Sequence, residues 1–330
     1  MNLSRERLLR VAEQTGFRPE VVEKVIRLLG LLDGFRSHPF LKERLALKGG
    51  TALNLFLFDV PRLSVDIDVN YIGAVDRETM VVERPKVEEA VRAVCSREGC
   101  AVRRRPEEHA GGTWELRYES AQGGGANLEV DINFMFRVPL WPIETMDSKD
   151  IGPYSATTIP LLNVHEIAGG KLAALMARHT GRDLFDAHLL LTHGQLDARM
   201  LRLAFVVIGA MNRQDWRTVS PDDVAYDANE LDAQLLPVLR RQVTDQPPEA
   251  WGKRLVEECR QKLGVVLPFN AAEREFLDRL LDHGEIVPKL LTGDQALAER
   301  IAKHPMLEWK ATNVRQFKGG RTNGTNPSPG

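Results

Sequence analysis

Two aspartates follow a pair of glycines at a spacing that suits a bound nucleoside triphosphate. Gly49 and Gly50 precede Thr51 and an apolar run, and Asp66 and Asp68 follow in an alternating segment. Glycines at a strand-to-helix turn leave backbone N–H groups free to bind phosphate, so all three residues of the turn are candidate nucleotide ligands. Alternation places both aspartates on one face of a strand, where two carboxylates can hold Mg²⁺.

The alternative for this segment is a tight turn followed by a solvated edge strand. An aspartate pair inside an alternating strand lowers stability unless its charges have a partner, and a divalent metal supplies one. The glycines and the aspartates together therefore favour a metal site. Ser64 lies on the same strand face as Asp66, so its hydroxyl is also expected to point into the phosphate site.

A third carboxylate lies in a second alternating segment, at residues 128–136. Asp131 shares one face of that segment with Glu129 and Asn133, while the other face is apolar. If the two strands are neighbours, Asp131 joins Asp66 and Asp68 in a cluster able to hold two metals about 3.5 to 4 Å apart, an arrangement that serves phosphoryl transfer. The alternative is an ordinary half-exposed strand.

A charged stretch further along the chain could complete such a site. Lys171 and Arg178 are two helical turns apart, share a helix face, and could both reach one polyphosphate, as could Arg182. Asp183 follows a threonine by three residues, which favours a capping role. Asp186 lies one turn later, where it could pair with Lys171 or Arg182. A solvated charged face is the alternative for the basic residues.

The composition limits the class of protein. The chain has 330 residues, of which 43% are hydrophobic and 27% charged, and its formal net charge is −2. These values are typical of a globular protein, and a polyanionic partner would have to bind at local basic patches. Cys95, Cys100 and Cys259 have no metal-type spacing and suggest reduced thiols. No apolar run reaches about 18 residues, so we expect no membrane segment and a cytoplasmic location.

The hydrophobic pattern predicts an α/β (α+β) fold with one mixed sheet. Helical periodicity at 4–16, 19–33 and 76–95 surrounds strand patterns at 45–48, 65–71, 100–105, 113–119 and 128–136. Beyond residue 160 the pattern is helical only, including a helix at 229–243. We therefore expect N-terminal helices at 1–40, a core at 41–160, a helical domain at 161–310 and a disordered tail at 311–330.

Three motifs of the chain resemble those of the AbiEii/AbiGii toxin family, which includes the MenT nucleotidyltransferase toxins. They lie at residues 47–53, 62–68 and 171–186, within a resemblance that covers roughly residues 40–195. The resemblance implies a DNA polymerase β-like nucleotidyltransferase core and the role of toxin in a bacterial toxin–antitoxin pair related to type IV systems. In the MenT branch, it implies transfer from a nucleoside triphosphate to the 3′ end of tRNA.

The resemblance also assigns roles by position. It makes Asp66 and Asp68 ligands of Mg²⁺, in a site that we expect to hold two metals. Lys171 and Asp186 become essential active-site residues, and Asp131 corresponds to the third carboxylate of the wider superfamily. The expected partners are tRNA and a cognate antitoxin, and the expected oligomeric state is a monomer.

Positive side chains for an RNA acceptor occur in small groups. They are Arg103, Arg104, Arg105, Arg240, Arg241, Lys310, Arg315, Lys318 and Arg321. Two alternatives remain open: a nucleotidyltransferase that modifies a small molecule such as an aminoglycoside, and a catalytically silent RNA- or protein-binding relative. The silent relative would be expected to lack a carboxylate or the lysine, whereas every expected position is filled here.

Overall fold

The computed structural model describes residues 3–104, 110–240 and 246–322, and its centre is a mixed sheet. Seven strands belong to the sheet within these ranges. They are β1 (Leu45–Lys48), β2 (Asp66–Tyr71), β3 (Ala101–Arg104), β4 (Gly111–Glu119), β5 (Gly125–Asn133), β6 (Glu144–Met146) and β7 (Ile159–Leu161). Their order across the sheet is β3-β4-β5-β2-β1-β7-β6. The strand carrying the aspartate pair, β2, is therefore central, between an antiparallel β1 and a parallel β5.

The two faces of β2 differ because its side chains alternate. Ile67 and Val69 are buried on one face, where helix α2 (Pro19–Ser37) packs through Leu32 and Phe35. The opposite face carries the aspartates and receives the helices that follow the sheet in sequence. The prediction of an α/β fold with one mixed sheet is confirmed.

Helices flank the sheet and form most of the chain after it. In the described ranges they are α1 (Arg5–Thr15), α2, α3 (Gly49–Ala52), α4 (Arg77–Arg97), α5 (Val164–Arg178), α6 (Gly181–His193), α7 (Ala198–Ala210), α8 (Ala228–Glu230), α9 (Pro248–Lys262), α10 (Ala271–Asp278), α11 (Gln295–Ala302) and α12 (Pro305–Thr322). A π-helical turn, Leu53–Leu57, extends α3. No helix in the described part of the chain is both long and apolar enough to cross a membrane.

Three expectations about the elements need correction. Strands β6 and β7 were missed because three residues are too few to show alternation, and the sheet consequently extends to Leu161. The helix expected at 229–243 is short: α8 passes through a π-helical turn into a 3₁₀ turn, Leu236–Val238. The tail expected to be disordered from residue 311 is helical over its described part, since α12 runs to Thr322 and buries Ala311; residues 323–330 lie outside the described ranges.

The residues at the end of that 3₁₀ turn pair with the segment that leads into β2. The N–H of Leu63 donates to the carbonyl of Val238 at 2.8 Å, and Arg62 forms an isolated bridge with Leu239. The segment before the aspartate pair is therefore fixed at two points: it continues directly into β2, and it is hydrogen-bonded to the later helical part of the chain. These two attachments fix the direction of the Arg62 side chain.

Candidate active site

The glycine pair brings the start of α3 into direct contact with the aspartate strand. Gly49 has a φ of +73°, and a Cβ at that position would overlap the carboxylate of Asp68. A Cβ on Gly50 would lie 2.8 Å from Nη2 of Arg62 and 3.0 Å from Oγ of Ser64. A side chain at residue 49 would be strained by its backbone angle as well as by the lack of space. The two glycines are therefore required for this close approach.

The predicted carboxylates lie on one face of two neighbouring strands. Asp68 is directly opposite Asp131 in the parallel pairing of β2 with β5, and Asp66 is opposite Glu129. The hydroxyl of Thr113 donates to Oδ2 of Asp131 at 3.2 Å. Burial raises the pKa values of Asp66 and Asp131, and the charge of Asp68 raises both further. Like charges held this close favour a cation at the site.

The carboxylates do not form one three-ligand cluster. Among the residues that the structure describes, no three histidine, cysteine, aspartate or glutamate side chains are arranged to hold a metal ion together. Asp66 and Asp68 still present hard oxygen donors on one face, which fits Mg²⁺, because this ion is typically held by one or two carboxylates plus substrate phosphates. The expectation that Asp131 shares a metal with them has no such support.

The strongest interaction at the site is a buried ion pair between Arg62 and Asp186. The guanidinium donates through Nε at 2.8 Å to Oδ1 and through Nη2 at 2.7 Å to Oδ2. Nδ2 of Asn54 donates to the same Oδ1 at 3.0 Å, and Asp186 is completely buried. Burial alone would raise the pKa of Asp186, but Arg62 and Lys171 hold it well below its usual range.

Lys171 is the remaining member of this network, and its ammonium lies next to the glycine turn. Its Nζ lies 2.9 Å from Oδ2 of Asp186 and 3.1 Å from Oδ1 of Asp183. Burial alone would lower the pKa of Lys171, but the two carboxylates raise it overall, so the ammonium stays charged. The same Nζ is 3.7 Å from where a Cβ of Gly50 would lie. A fixed positive charge therefore stands beside the glycine turn.

Asp183 has a second role that local sequence did not reveal. The cap at the start of α6 is Thr180, whose Oγ1 accepts from the N–H of Asp183 at 3.2 Å, and the Thr180 hydroxyl donates to Oδ2 of Asp183 at 2.9 Å. Its carboxylate also pairs with Lys171 and, at 3.3 Å, with Nε of Arg178. Arg178 is 62% exposed, and so its guanidinium remains accessible from solvent.

The other predicted nucleotide ligands differ in their access to the site. Nη1 of Arg182 is 3.4 Å from Oδ2 of Asp66, which brings the charged stretch to the aspartate pair. The Thr51 hydroxyl donates to the carbonyl of Asp66, and Thr51 is fully buried, so its side chain supports the aspartate strand and does not face an open phosphate site. Ser64 is 7% exposed and its Oγ lies against Gly50.

Several residues of the site were not identified from the sequence. Arg62 is the first residue of the motif at residues 62–68, but its partner is 124 residues away and nothing local indicates it. Asn54 is equally buried, and its Nδ2 also donates to the carbonyl of Gly50 at 2.9 Å. Lys48 is directly opposite Asp68 in the pairing of β1 with β2. In the sequence, a single lysine before the glycine pair does not indicate that it lies beside Asp68.

The basic groups expected to bind RNA are unevenly available. Arg103 is exposed, whereas Nζ of Lys310 donates to the carbonyl of Asn212 at 2.6 Å and Arg315 donates to the carbonyl of Gly284. Both residues therefore help to anchor α12, and Arg315 remains exposed. Arg240 lies with its guanidinium 5.3 Å from the centre of the Phe17 ring. Arg105, Arg241 and the side chains of Arg104, Lys318 and Arg321 lie outside the described residues.

Comparisons with known proteins agree with this geometry. A family model described as the nucleotidyl transferase AbiEii toxin of type IV toxin–antitoxin systems matches residues 30–260. Among solved structures, MenT4, a nucleotidyltransferase toxin from Mycobacterium tuberculosis H37Rv, is similar with a TM-score of 0.61 and 18% identity. The match covers 95% of this chain and 100% of that one. At this identity the likeness is one of fold, and it confirms the predicted nucleotidyltransferase fold. No curated protein matches the chain by sequence.

The buried pair generates a prediction about stability. Changing Arg62→Met leaves the Asp186 carboxylate buried without its bidentate partner, which should cost about 3 to 5 kcal/mol in the free energy of unfolding. The control is Arg10→Met, because Arg10 pairs with Glu6 at side-chain exposures of 64% and 85%. That change should cost less than about 1 kcal/mol. Urea denaturation measures both, and equal losses would contradict the importance given to Arg62.

Proposed function

Because this chain belongs to the AbiEii family of nucleotidyl transferase toxins, we propose that it transfers nucleotides from a nucleoside triphosphate to the 3′ end of tRNA, with Mg²⁺ as cofactor. The family match over residues 30–260 also confirms the resemblance drawn from the three motifs. Blocked translation would be the toxic effect, and a cognate antitoxin would be the partner that prevents it.

One observation supports this proposal above the others. Lys171, which is distant in sequence from the glycine turn, has its ammonium beside Gly50 and is fixed there by Asp183 and Asp186. A charged donor on a rigid support can stabilise the negative charge that develops on a pyrophosphate leaving group without reorganising. The arrangement therefore suits a reaction at a bound triphosphate.

The remaining residues have distinct parts in the proposed reaction. Asp66 and Asp68 would hold Mg²⁺, which supplies neutralisation of the triphosphate when bound. Arg182 contacts Asp66, and with Arg178 it offers further positive charge at the edge of the site. Asp131 would orient the acceptor hydroxyl or take its proton, and its raised pKa suits a proton acceptor.

Removing one aspartate tests the assignment directly. Asp66→Ala should lower the initial rate of nucleotide transfer by more than about 100-fold. Loss of a group that only orients a metal ligand already lowers metal affinity or activity by about 10- to 100-fold, and Asp66 would be a ligand itself. The fold should survive, because the change also removes repulsion with Asp68. Labelled nucleoside triphosphates with total tRNA give the rate, and circular dichroism checks the fold.

The matched control for this assay is Asp222→Ala, which removes an exposed carboxylate from a 3₁₀ turn. Its rate should equal that of the unmodified protein. Undiminished transfer by Asp66→Ala would remove Asp66 from the site. Loss of transfer in both variants would show that the assay reports on something other than the metal site.

The class of acceptor generates a second prediction. Each tRNA phosphate neutralised by the protein releases counterions, so tRNA binding should weaken steeply between 50 and 200 mM salt, by roughly tenfold or more. Filter binding or fluorescence anisotropy at several salt concentrations measures the slope. A flat dependence, with transfer to a small hydroxyl compound instead, would favour the alternative of a small-molecule nucleotidyltransferase.

Ser64 offers a means of control at the proposed site. A phosphate on its hydroxyl would add up to two negative charges against Gly50 and oppose triphosphate binding. We expect a mass increase of one phosphate on Ser64 in toxin isolated together with its antitoxin and inhibited by it. Unmodified Ser64 in fully neutralised toxin, measured by mass spectrometry, would contradict this form of control.

A further inference from the structure

We propose that Asn54 is a positioning residue for triphosphate binding, whose side-chain amide holds the glycine turn and the Lys171 ammonium in one fixed arrangement. The inference rests on the proposed function for the identity of the ligand. Asn54 lies one residue beyond the first of the three motifs, at residues 47–53, so neither the sequence pattern nor the family resemblance gives it a role.

The amide group of Asn54 bridges two parts of the site. Its Nδ2 donates to the carbonyl of Gly50 at 2.9 Å and to Oδ1 of Asp186 at 3.0 Å. Both partners are oxygen atoms that only accept, and an amide nitrogen carries the two N–H groups that such a bridge needs. The opposite orientation of the amide would place its oxygen against two other oxygens, so the chemistry of the partners fixes which way it points.

The buried carboxylate of Asp186 uses Asn54 as its fourth donor. An ionised carboxylate offers about four lone-pair positions. Oδ1 accepts from Nε of Arg62 and from Asn54, while Oδ2 accepts from Nη2 of Arg62 and lies 2.9 Å from Nζ of Lys171. Asp186 is completely buried, so an unfilled position would leave its charge less well compensated. Asn54 is the neutral donor of this set, and it also reaches the glycine turn.

The peptide unit that Asn54 holds is rigid. The carbonyl of Gly50 and the N–H of Thr51 belong to one planar group, so a hydrogen bond to the carbonyl also fixes the direction of that N–H. Asn54 itself lies in the π-helical turn after α3. The N–H of Lys149 holds the next residue of that turn, because it donates to the carbonyl of Leu55 at 2.7 Å. The bridging side chain therefore starts from a fixed main chain.

The two groups that Asn54 connects are close enough to bind one triphosphate together. Nζ of Lys171 is 3.7 Å from where a Cβ of Gly50 would lie, and its pairing with Asp186 holds it there. Donors that are aligned in advance bind a polyanion without reorganising. Loss of Asn54 should therefore weaken triphosphate binding by disturbing this alignment, although Asn54 is fully buried and would not touch the ligand itself.

A double-mutant cycle with Lys171 tests the proposal without any transfer reaction. The ligand is a nucleoside triphosphate analogue with a methylene group between its α- and β-phosphorus atoms, and calorimetric titration with Mg²⁺ present gives its dissociation constant. Asn54→Ala should weaken binding by about tenfold, within the range for residues that share one hydrogen-bond network. In the Lys171→Gln background the same change should weaken binding by less than about twofold, because no ammonium remains to be aligned.

A second variant of Asn54 separates alignment from packing. Asn54→Ser offers one hydroxyl donor, which can bond to the carbonyl of Gly50 four residues earlier but cannot bridge to Asp186 as well. Its binding should therefore be weakened as in Asn54→Ala. The matched control is Asn229→Ala, which removes an exposed asparagine side chain from α8 and should bind as the unmodified protein does. Circular dichroism checks the fold of every variant, and Asn54→Ser carries the test if Asn54→Ala does not fold.

The proposal would be overturned by unchanged binding in Asn54→Ala, by full binding in Asn54→Ser, or by an equal loss with and without the Lys171 ammonium. Loss of the fold in both Asn54 variants would also overturn it, because Asn54 would then be a structural residue.

The measurement uses no acceptor, so it is separate from the proposed transfer to tRNA. A protein that shows the expected cycle but transfers nothing to tRNA would refute the function alone. A protein that labels tRNA while the losses from Asn54→Ala and Lys171→Gln simply add would refute the role of Asn54 alone. An unmodified protein that does not bind the analogue would refute both.

Discussion

The whole site depends on one buried carboxylate. Asp186 is fully enclosed and can remain ionised there only because Arg62, Lys171 and Asn54 surround it with donors. Each partner comes from a different part of the chain: the segment before β2, helix α5 and the turn after α3. A single carboxylate therefore contacts the segment before the sheet's aspartate strand, the turn after α3 and a later helix. These contacts also fix the position of the Lys171 ammonium.

The sequence predicted the placement of site residues correctly where the pattern lay within one strand or one helix. Alternation was enough to place Asp66 and Asp68 on one face. The 3.6-residue period placed Lys171 and Arg178 on one helix face, but it could not bring Lys171 to Asp186, which lies in the next helix. The pairing of β2 with β5 had to be assumed, because strand order depends on packing between distant segments. The partner of Arg62 depends on another long-range packing, because Asp186 lies in helix α6. Arg62 has ordinary neighbours in sequence, and only the packing of this helix against the segment before β2 gives it a charged partner.

Asp183 shows how a correct local explanation can conceal a second role. The threonine three residues earlier accounts for its position in the sequence, and the structure confirms the cap. The carboxylate nevertheless also receives Lys171 and Arg178. The cap uses the main-chain N–H of Asp183, which donates to Thr180, so this structural explanation leaves the acceptor capacity of the carboxylate unassigned.

The distance along the chain between Arg62 and Asp186 also has a consequence in time. The pair spans 124 residues, and a ribosome adds roughly 5 to 20 residues per second. A nascent chain therefore carries Arg62 and the aspartate strand for about 6 to 25 s before Asp186 has even been made. During that interval Lys171 is either not yet made or lacks Asp186 as its partner, so the growing polypeptide cannot assemble the site. The site can form only after translation has passed Asp186, in the sixth of the twelve described helices.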